Sequence, residues 1–210
     1  MTRTGSIARA YAAGFKPCLG LLSKKTLMRQ RFVMAAEEIL RENGGARLAL
    51  ADVAARLGMS QSNSYRYFPD RQALISMLAE NWFAGVEDEV TAAVVAESEP
   101  DGQVTAWVLR TMRAKCERYD ADPSLFLAYL RLAGGEAEAV ARHVGRLREI
   151  IRPAVATLTG ETEAEDALIL LEDATILFRN PFLIAQYRAT LSEKRARQVA
   201  EAIIQAISQH

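Results

Sequence analysis

Residues 51–68 of the chain read ADVAARLGMSQSNSYRYF, and this stretch decides the fold. The apolar residues at its start are spaced as one face of a short helix, namely Leu50, Val53, Ala54 and Leu57. Gly58 follows where the chain must turn sharply, since glycine adopts a positive φ without steric cost. Ser60 can then cap a second short helix, because its hydroxyl accepts a backbone N–H. Two short helices joined by a tight turn predict a helix-turn-helix, which places its second helix in the major groove of DNA.

The second helix of this motif is predicted from about Gln61 to Tyr67, and it is short and polar. A helix of about seven residues is not stable alone in water, so it requires tertiary support. Its Gln, Asn and Arg side chains can hydrogen-bond base edges, and its Ser, Tyr and Arg side chains can bind phosphates. An ordinary solvated helix is the alternative. The turn that precedes the helix favours contact with DNA.

Charge is distributed unevenly along the chain, although 26 Lys and Arg residues balance 26 Asp and Glu residues. Residues 1–71 hold 12 of the basic residues and 5 of the acidic ones, whereas residues 72–210 hold 14 and 21. Basic charge around a helix-turn-helix is expected of a protein that binds phosphates. Chance clustering on a solvated face is the alternative.

Helical patterns flank the motif on both sides. A helix is predicted over about residues 27–43, because its apolar residues share one face: Phe32, Ala35, Ala36, Ile39 and Leu40. Gly44 and Gly45 end this helix. After the motif, Asp70 caps a long helix over about residues 71–97, which can link the motif to a second core.

Together these pieces resemble the TetR family of bacterial transcriptional regulators. The resemblance covers about residues 31–78 and rests on an ordered set of motifs: Ala35-Ala36, Ile39-Leu40, Gly44, Asp52-Val53-Ala54, Leu57-Gly58-Met59-Ser60, Tyr65-Arg66-Tyr67-Phe68-Pro69-Asp70-Arg71 and Leu74. The segment from Tyr65 to Arg71 is the most specific part. Two positions depart from the family pattern. Ser64 stands at a usually apolar position of the recognition helix, and Leu48-Ala49-Leu50 stands where a threonine often caps the preceding helix.

The resemblance implies which side chains meet DNA. Tyr65 and Tyr67 correspond to positions that commonly meet the phosphate backbone, and Arg71 corresponds to a basic residue that contacts it from the start of the fourth helix. The predicted DNA-binding residues are Ser60, Gln61, Ser62, Asn63, Tyr65, Arg66, Tyr67 and Arg71. Because residues 62–64 depart most from the family, we expect the sequence specificity of this chain to lie there.

The remainder of the chain is also helical in pattern, and no strand alternation competes with it. Further helices are predicted over about residues 103–119, 123–133, 136–158, 163–179 and 193–207, with a short helical piece between the last two. We therefore predict an all-α protein of about nine helices, in which an N-terminal three-helix unit with the helix-turn-helix joins a helical ligand-binding and dimerisation domain.

Three segments are predicted in this organisation. Residues 1–26 form a basic N-terminal arm, which is either disordered or touches DNA. Residues 27–71 form the helix-turn-helix DNA-binding domain. Residues 72–210 form the ligand-binding and dimerisation domain, a role that the family resemblance implies.

A homodimer is expected because one short recognition helix reads few bases, whereas two on a two-fold axis, about 34–36 Å apart, read a palindrome. In the TetR family the last two large helices form a four-helix bundle with those of the partner. The predicted interface residues are Ala167, Leu170, Leu171, Ala174, Val199, Ile203 and Ile207. Packing within the chain's own core is the alternative for each.

The resemblance also implies a pocket for a small-molecule effector, whose identity the sequence leaves open. The candidate wall residues are large or polarizable side chains of the second domain: Trp107, Met112, Cys116, Tyr119, Phe126, Tyr129, Phe178 and Phe182. Such side chains suit a mostly apolar pocket, and packing in the core is the alternative for each.

Other function classes find little support in the sequence. It contains no Gly-rich phosphate loop, Gly-x-Ser-x-Gly or His-Glu-x-x-His motif, so neither an enzyme nor a catalytic residue is predicted. Cys18, Cys116 and His143 form no cluster with metal-ligand spacing, and no metal or cofactor is expected. No apolar run reaches the roughly 18 residues of a membrane span. Free thiols, without a disulfide framework, favour a cytoplasmic location.

The sequence thus predicts a cytoplasmic, DNA-binding transcriptional regulator that binds double-stranded operator DNA. The favoured mechanism is a repressor that a small-molecule ligand releases from a palindromic operator. A helical DNA-binding protein without an inducer, acting structurally or through a protein partner, is the alternative. An enzyme that happens to contain a helix-turn-helix is a third hypothesis.

Overall fold

The structure is a computed structural model that describes residues 23–208. These residues form eleven α-helices, no strand, and one short 3-10 turn at Arg188–Thr190. The helices are α1 (Lys24–Asn43), α2 (Leu50–Arg56), α3 (Gln61–Ser64), α4 (Arg71–Val95), α5 (Pro100–Ala121), α6 (Pro123–Ala133), α7 (Ala137–Thr159), α8 (Ala164–Ala174), α9 (Ile176–Arg179), α10 (Pro181–Tyr187) and α11 (Glu193–Ile207). The predicted all-α class is confirmed.

Helices α1, α2 and α3 pack around Phe68, which follows α3 and is fully buried. The ring of Phe68 lies 5.5 Å from that of Phe32 on α1. Gly44 ends α1 with φ 61°, and Gly58 turns the chain between α2 and α3 with φ 68°. Both angles lie in the left-handed region that glycine tolerates best. The local signals in the sequence therefore build the predicted helix-turn-helix.

A second core lies between α4, α5, α7, α8 and α11. Its buried apolar side chains include Val86, Val90, Val108, Ile151, Leu168, Leu171 and Ile204. Trp107 is fully buried in this core, and its indole Nε1 donates to Leu147 O on α7 at 2.7 Å. A buried indole with its N–H paired adds apolar area without leaving an unsatisfied donor.

Helix α6 connects the two cores. Its apolar face belongs to the same buried cluster as Phe32 and comprises Leu125, Ala128 and Tyr129. The approach to α1 is close at Gly45, where a Cβ atom would lie 2.7 Å from Ala128 Cα. Asp122, the N-cap of α6, also accepts a hydrogen bond from Arg41 Nε at 2.6 Å. The domain division at residue 71 stays a prediction, and the N-terminal core draws on α6 as well.

Helix α1 begins at Lys24, earlier than the predicted start near Leu27. The reason is a cap, since Ser23 Oγ accepts the Thr26 N–H at 3.1 Å. Residues 24–26 therefore belong to α1 and not to a separate arm. The other residues of the predicted arm, up to residue 22, lie outside the described residues.

The part of the chain that the structure describes contains more helices than the predicted number of about nine. The helix predicted to reach Arg179 is divided at Thr175 into α8 and α9. The Thr175 hydroxyl donates to Leu171 O at 2.6 Å, a contact of the kind that bends helices. The short piece predicted after Asn180 is α10. No helix within residues 23–208 is both long and apolar enough to cross a membrane.

Candidate nucleic-acid interface and cavity

The recognition helix α3 is a single turn and ends before Tyr67, the residue to which it was predicted to extend. Ser60 caps it, since Ser60 Oγ accepts the Asn63 N–H at 3.3 Å. Gln61 and Ser62 are exposed, and Asn63 is half-buried. The amide side chains of Gln61 and Asn63 are of the type that reads base edges.

Ser64 is fully buried, at the position where the family usually has an apolar residue. Its Oγ donates to Gln61 O at 2.6 Å, so the hydroxyl is satisfied within the helix. Ser64 therefore packs as a core residue and presents no polar group to DNA. Of residues 62–64, we therefore expect only Ser62 and Asn63 to contribute to DNA sequence specificity.

The three residues after α3 differ in exposure. Tyr65 is 50% exposed, and its hydroxyl accepts a hydrogen bond from Gln61 Nε2 at 3.2 Å. The Arg66 side chain is exposed and forms no hydrogen bond or ion pair with another described residue. Tyr67 packs on Phe32, with the ring centroids 5.7 Å apart. Tyr65 and Arg66 are thus more accessible to DNA than Tyr67.

Arg71, at the start of α4, has a structural contact that its sequence position did not reveal. Its Nε donates to Leu48 O at 2.6 Å and so ties α4 to the segment before α2. Arg47, the residue before Leu48, has a side chain that is 77% exposed, and its Nε lies 4.0 Å from the Asp52 carboxylate. Sequence reasoning missed Arg47 as a candidate phosphate contact. A basic residue three positions before the first helix of the motif was the available signal.

A cavity of about 190 Å³ lies between α4, α5, α6, α7 and the α9–α10 segment. Its aromatic wall residues are Trp82, Phe83, Tyr129 and Phe182. Tyr129 also donates from its hydroxyl to Glu37 Oε1 on α1 at 2.8 Å. Burial raises the pKa of Glu37, against the opposing effects of the Tyr129 hydrogen bond and Arg41. Tyr129 therefore lines the cavity and also contacts the N-terminal unit.

Two cationic side chains line the cavity and are almost fully buried, Lys115 and Arg179. Lys115 Nζ donates to Arg179 O at 2.6 Å. Burial, together with the neighbouring charges of Arg179 and Arg118, lowers the pKa of Lys115 to about 7. Arg179 lies over the Trp107 ring at 4.6 Å from the centroid, and burial lowers its pKa to about 10. Arg179 is therefore charged at neutral pH, while Lys115 titrates there.

His143 also lines the cavity and is buried. Its ring stacks on Phe83 with centroids 4.4 Å apart, and its Nδ1 lies 2.6 Å from Glu87 Oε1. Burial first, and the Lys115 charge second, lower the pKa of His143 to about 4. The ring is thus neutral at pH 7, with Nδ1–H donating to Glu87. Its Nε2 is buried and has no hydrogen-bond partner among the described residues.

The predicted ligand-binding residues are divided among three places. Tyr129 and Phe182 line the cavity. Met112 and Cys116 line a separate polar groove, beside the ion pairs of Arg113 with Glu193 and of Arg188 with Asp120. The other four pack outside the cavity: Trp107, Tyr119, Phe126 and Phe178. No ligand tests these assignments, and they stay predictions.

Sequence reasoning missed several wall residues of the cavity, namely Trp82, Phe83, Lys115, His143 and Arg179. A signal existed for Lys115, which stands in a stripe of apolar residues on α5 where a solvated lysine would not be expected. No comparable signal existed for Trp82, whose helix spacing indicated only a core position.

The predicted interface residues also differ in exposure. Leu170 is 46% exposed on α8, and its neighbour Ile169, which sequence reasoning missed, is 45% exposed. Ala174, Val199 and Ile203 are half-buried. Ala167, Leu171 and Ile207 are buried in the chain's own core. An apolar strip therefore remains on α8 and α11 for a partner, although its members stay predictions.

Comparison with known proteins matches two segments of the chain to models of one protein family. Residues 32–78 match "Bacterial regulatory proteins, tetR family", and residues 100–200 match "Tetracyclin repressor-like, C-terminal domain". A transcriptional regulator of the TetR/AcrR family from Thermobifida fusca is similar in structure, with a TM-score of 0.59, 19% identity, and coverage of 84% of this chain and 96% of that one. A TetR-family transcriptional regulator from Streptomyces coelicolor has a TM-score of 0.58 and 19% identity, covering 97% and 96%. These structures share the fold, and no curated protein matches the sequence closely.

Proposed function

The chain belongs to the TetR family of bacterial regulatory proteins and is a DNA-binding transcriptional regulator, and from that premise we propose a homodimeric repressor that a small molecule releases from a palindromic operator. The proposal rests on the position of Tyr129. This one side chain lines the cavity and hydrogen-bonds Glu37 on α1 of the DNA-binding unit. A ligand in the cavity would therefore act directly on a contact to that unit.

The DNA surface in this proposal is built around the exposed residues of α3 and the segments next to it. Gln61, Ser62 and Asn63 would read bases from the major groove, with Ser60 holding the helix start. Tyr65, Arg66 and Arg71 would contact phosphates and fix the position of the helix. Tyr67 would contribute mainly by packing, because its ring lies against Phe32.

In this proposal, α4 and the start of α7 carry the signal from the cavity to the DNA surface. Helix α4 is continuous from Arg71 to Val95 and lines the cavity with Trp82 and Phe83. Glu136, just before α7, accepts hydrogen bonds from Gln72 and from Ser76, the latter at 3.1 Å. A ligand that moves α6 or α7 would pull on the first turns of α4.

Release from DNA requires that the ligand bind the DNA-free conformation more tightly than the DNA-bound one. A ligand that separates α4 from α6 would change the distance between the two recognition helices of a dimer. Since the half-sites of a palindrome are about 34–36 Å apart, a changed spacing favours dissociation. The alternative of a regulator without an inducer predicts a filled second core, and the cavity counts against it.

The test begins with DNA fragments from upstream of the gene, in which a palindrome is located by footprinting with the full-length protein. Binding of that palindrome is then followed by fluorescence anisotropy as compounds from a thermal-shift screen are added. A compound that raises the melting temperature and also raises the apparent Kd for DNA by at least tenfold supports the proposal. Compounds that bind without changing DNA affinity would favour the regulator without an inducer.

A further inference from the structure

We propose that the cavity takes a small apolar carboxylate, whose anionic group pairs with Lys115 while its hydrocarbon part packs against the aromatic wall. The inference rests on the proposed function, because it names the class of effector for the same cavity. Three observations carry it: the placement of Lys115, the absence of an acidic side chain from the part of the cavity wall that the described residues form, and the size of the cavity.

Lys115 is a buried amine with too few partners. Its side chain is 4% exposed, and among the described residues its Nζ has one hydrogen-bond acceptor, Arg179 O at 2.6 Å. An ammonium group has three N–H donors, and burying it without a counter-ion is costly. An incoming carboxylate supplies both the missing acceptors and the missing charge.

Among residues 23–208, no aspartate or glutamate lines the cavity, although Lys115, Arg179 and His143 all do. The nearest acidic group to His143 is Glu87, which is already engaged by His143 Nδ1 at 2.6 Å and Arg146 Nε at 2.5 Å. Glu172 and Asp173 interact with the charge of Arg179 but do not line the cavity. The wall is therefore positive and apolar at once, which selects an apolar anion over an apolar cation.

The volume limits the size of the ligand. A cavity of about 150 Å³ accommodates benzene, so the 190 Å³ available here suits a single ring or a short alkyl chain with a carboxylate. Trp82, Phe83 and Phe182 offer flat apolar surface for such a group. The free Nε2 of His143 is an acceptor in the neutral ring and can take one hydrogen bond from a hydroxyl substituent.

The experiment compares charged and neutral ligands of equal shape by titration calorimetry on the full-length protein at pH 7, without DNA. The probes are benzoate with benzamide, and hexanoate with hexanamide. We expect at least one acid to bind at least tenfold more tightly than its amide. In Lys115→Met, which keeps the length of the side chain, that preference should fall to less than threefold. Lys194→Met changes an exposed lysine in the same way and should leave the preference intact.

A second measurement uses the wild-type protein alone. Because the pKa of Lys115 is about 7 in the empty cavity and a bound carboxylate raises it, binding at pH 8 should take up a proton. The binding enthalpy should then differ between Tris and phosphate buffers according to their ionisation enthalpies. Arg179, whose pKa is about 10, stays charged in this range and contributes no proton.

The outcomes separate this inference from the proposed function. Equal binding of acids and amides, an unchanged preference in Lys115→Met, or no binding of either acid would overturn the inference. A neutral compound that releases operator DNA would overturn the inference and leave the proposed function standing. An acid that binds through Lys115 but leaves DNA affinity unchanged would support the inference and contradict the proposed function.

Discussion

Arg71 Nε donates to the carbonyl of Leu48, the residue that follows Arg47, and we propose that both arginines contact DNA phosphates. Arg47→Ala should weaken binding to all DNA sequences alike, since it removes one phosphate contact. The salt slope, which is the slope of log K for DNA binding against log salt concentration, should fall in magnitude by about one. Arg71→Ala should do the same and also lower the free energy of unfolding by about 1 kcal/mol, because it deletes a hydrogen bond. Anisotropy titrations across salt concentrations and urea unfolding measure the two effects.

The control for both variants is Arg197→Ala, which removes an exposed arginine from α11, away from the proposed surface. It should change neither the salt slope nor the stability. If Arg47→Ala behaves like this control while Arg71→Ala does not, the segment before α2 is no part of the DNA surface.

His143 should make the stability of the protein depend on pH. Its pKa is lowered from 6.5 to about 4 by burial and by Lys115, with Glu87 opposing and Arg146 adding to the effect. Between these two pH values the unfolded state therefore binds a proton that the folded state does not bind. The free energy of unfolding falls as the pH falls from 6.5 towards 4. Between pH 7 and pH 5 this group should account for about 2 kcal/mol.

Urea unfolding of the wild type and of His143→Gln at both pH values isolates this contribution, because other titrating groups affect the two proteins alike. The wild type should lose about 2 kcal/mol more than the variant on going to pH 5. An equal loss in both proteins would mean that the imidazole is not held neutral in the folded state.

Among the helices, α6 has the most direct part in the proposed coupling, and Tyr129→Phe tests that part. The substitution keeps the aromatic wall of the cavity but removes the hydroxyl that donates to Glu37 at 2.8 Å. Because Glu37 is mostly buried, we expect the free energy of unfolding to fall by about 1–3 kcal/mol. Ligand affinity without DNA should change little, whereas the ratio of DNA affinities without and with ligand should fall several-fold.

Tyr119→Phe is the matched control for this element. Tyr119 on α5 packs edge-on against Phe126 at 5.4 Å and does not line the cavity. It should leave both stability and the ratio of DNA affinities close to those of the wild type. A ratio in Tyr129→Phe as large as that in Tyr119→Phe would exclude the contact to Glu37 from the coupling.

The same elements explain what could be predicted from the sequence. The frame of the helix-turn-helix depends on local features such as Gly58 and the Ser60 cap, so residue spacing was enough to predict it. The cavity depends on how α5 and α7 pack, which brings Lys115 and His143 together from distant positions. Spacing along one helix carries no information about that packing. For the same reason Phe178 and Phe182, close in sequence, were predicted alike but lie in different surroundings.

At the scale of the whole molecule, the proposed recognition of a palindromic operator requires two copies, and α8 presents the apolar surface with which we propose that they pair. Leu170 and Ile169 are about half exposed there, whereas Leu171 is buried in the chain's own core. Leu170→Asp should therefore disrupt the dimer, because it places a charge in a desolvated interface, while the fold of each chain persists. Light scattering on a sizing column should give the monomer mass at low micromolar concentration, with helicity unchanged by circular dichroism.

Binding to the palindrome should then fall by at least about tenfold, because a single recognition helix reads one half-site and loses the contribution of the second. Val95→Asp is the control, since Val95 is another exposed apolar residue, 76% exposed, at the end of α4. It should remain a dimer and bind the palindrome normally. If Leu170→Asp is dimeric and Val95→Asp is not, the partner packs against the end of α4 and the proposed α8 and α11 interface is wrong. A dimeric Leu170→Asp with weakened DNA binding would also contradict the proposal, because affinity would then depend on Leu170 by a route other than pairing.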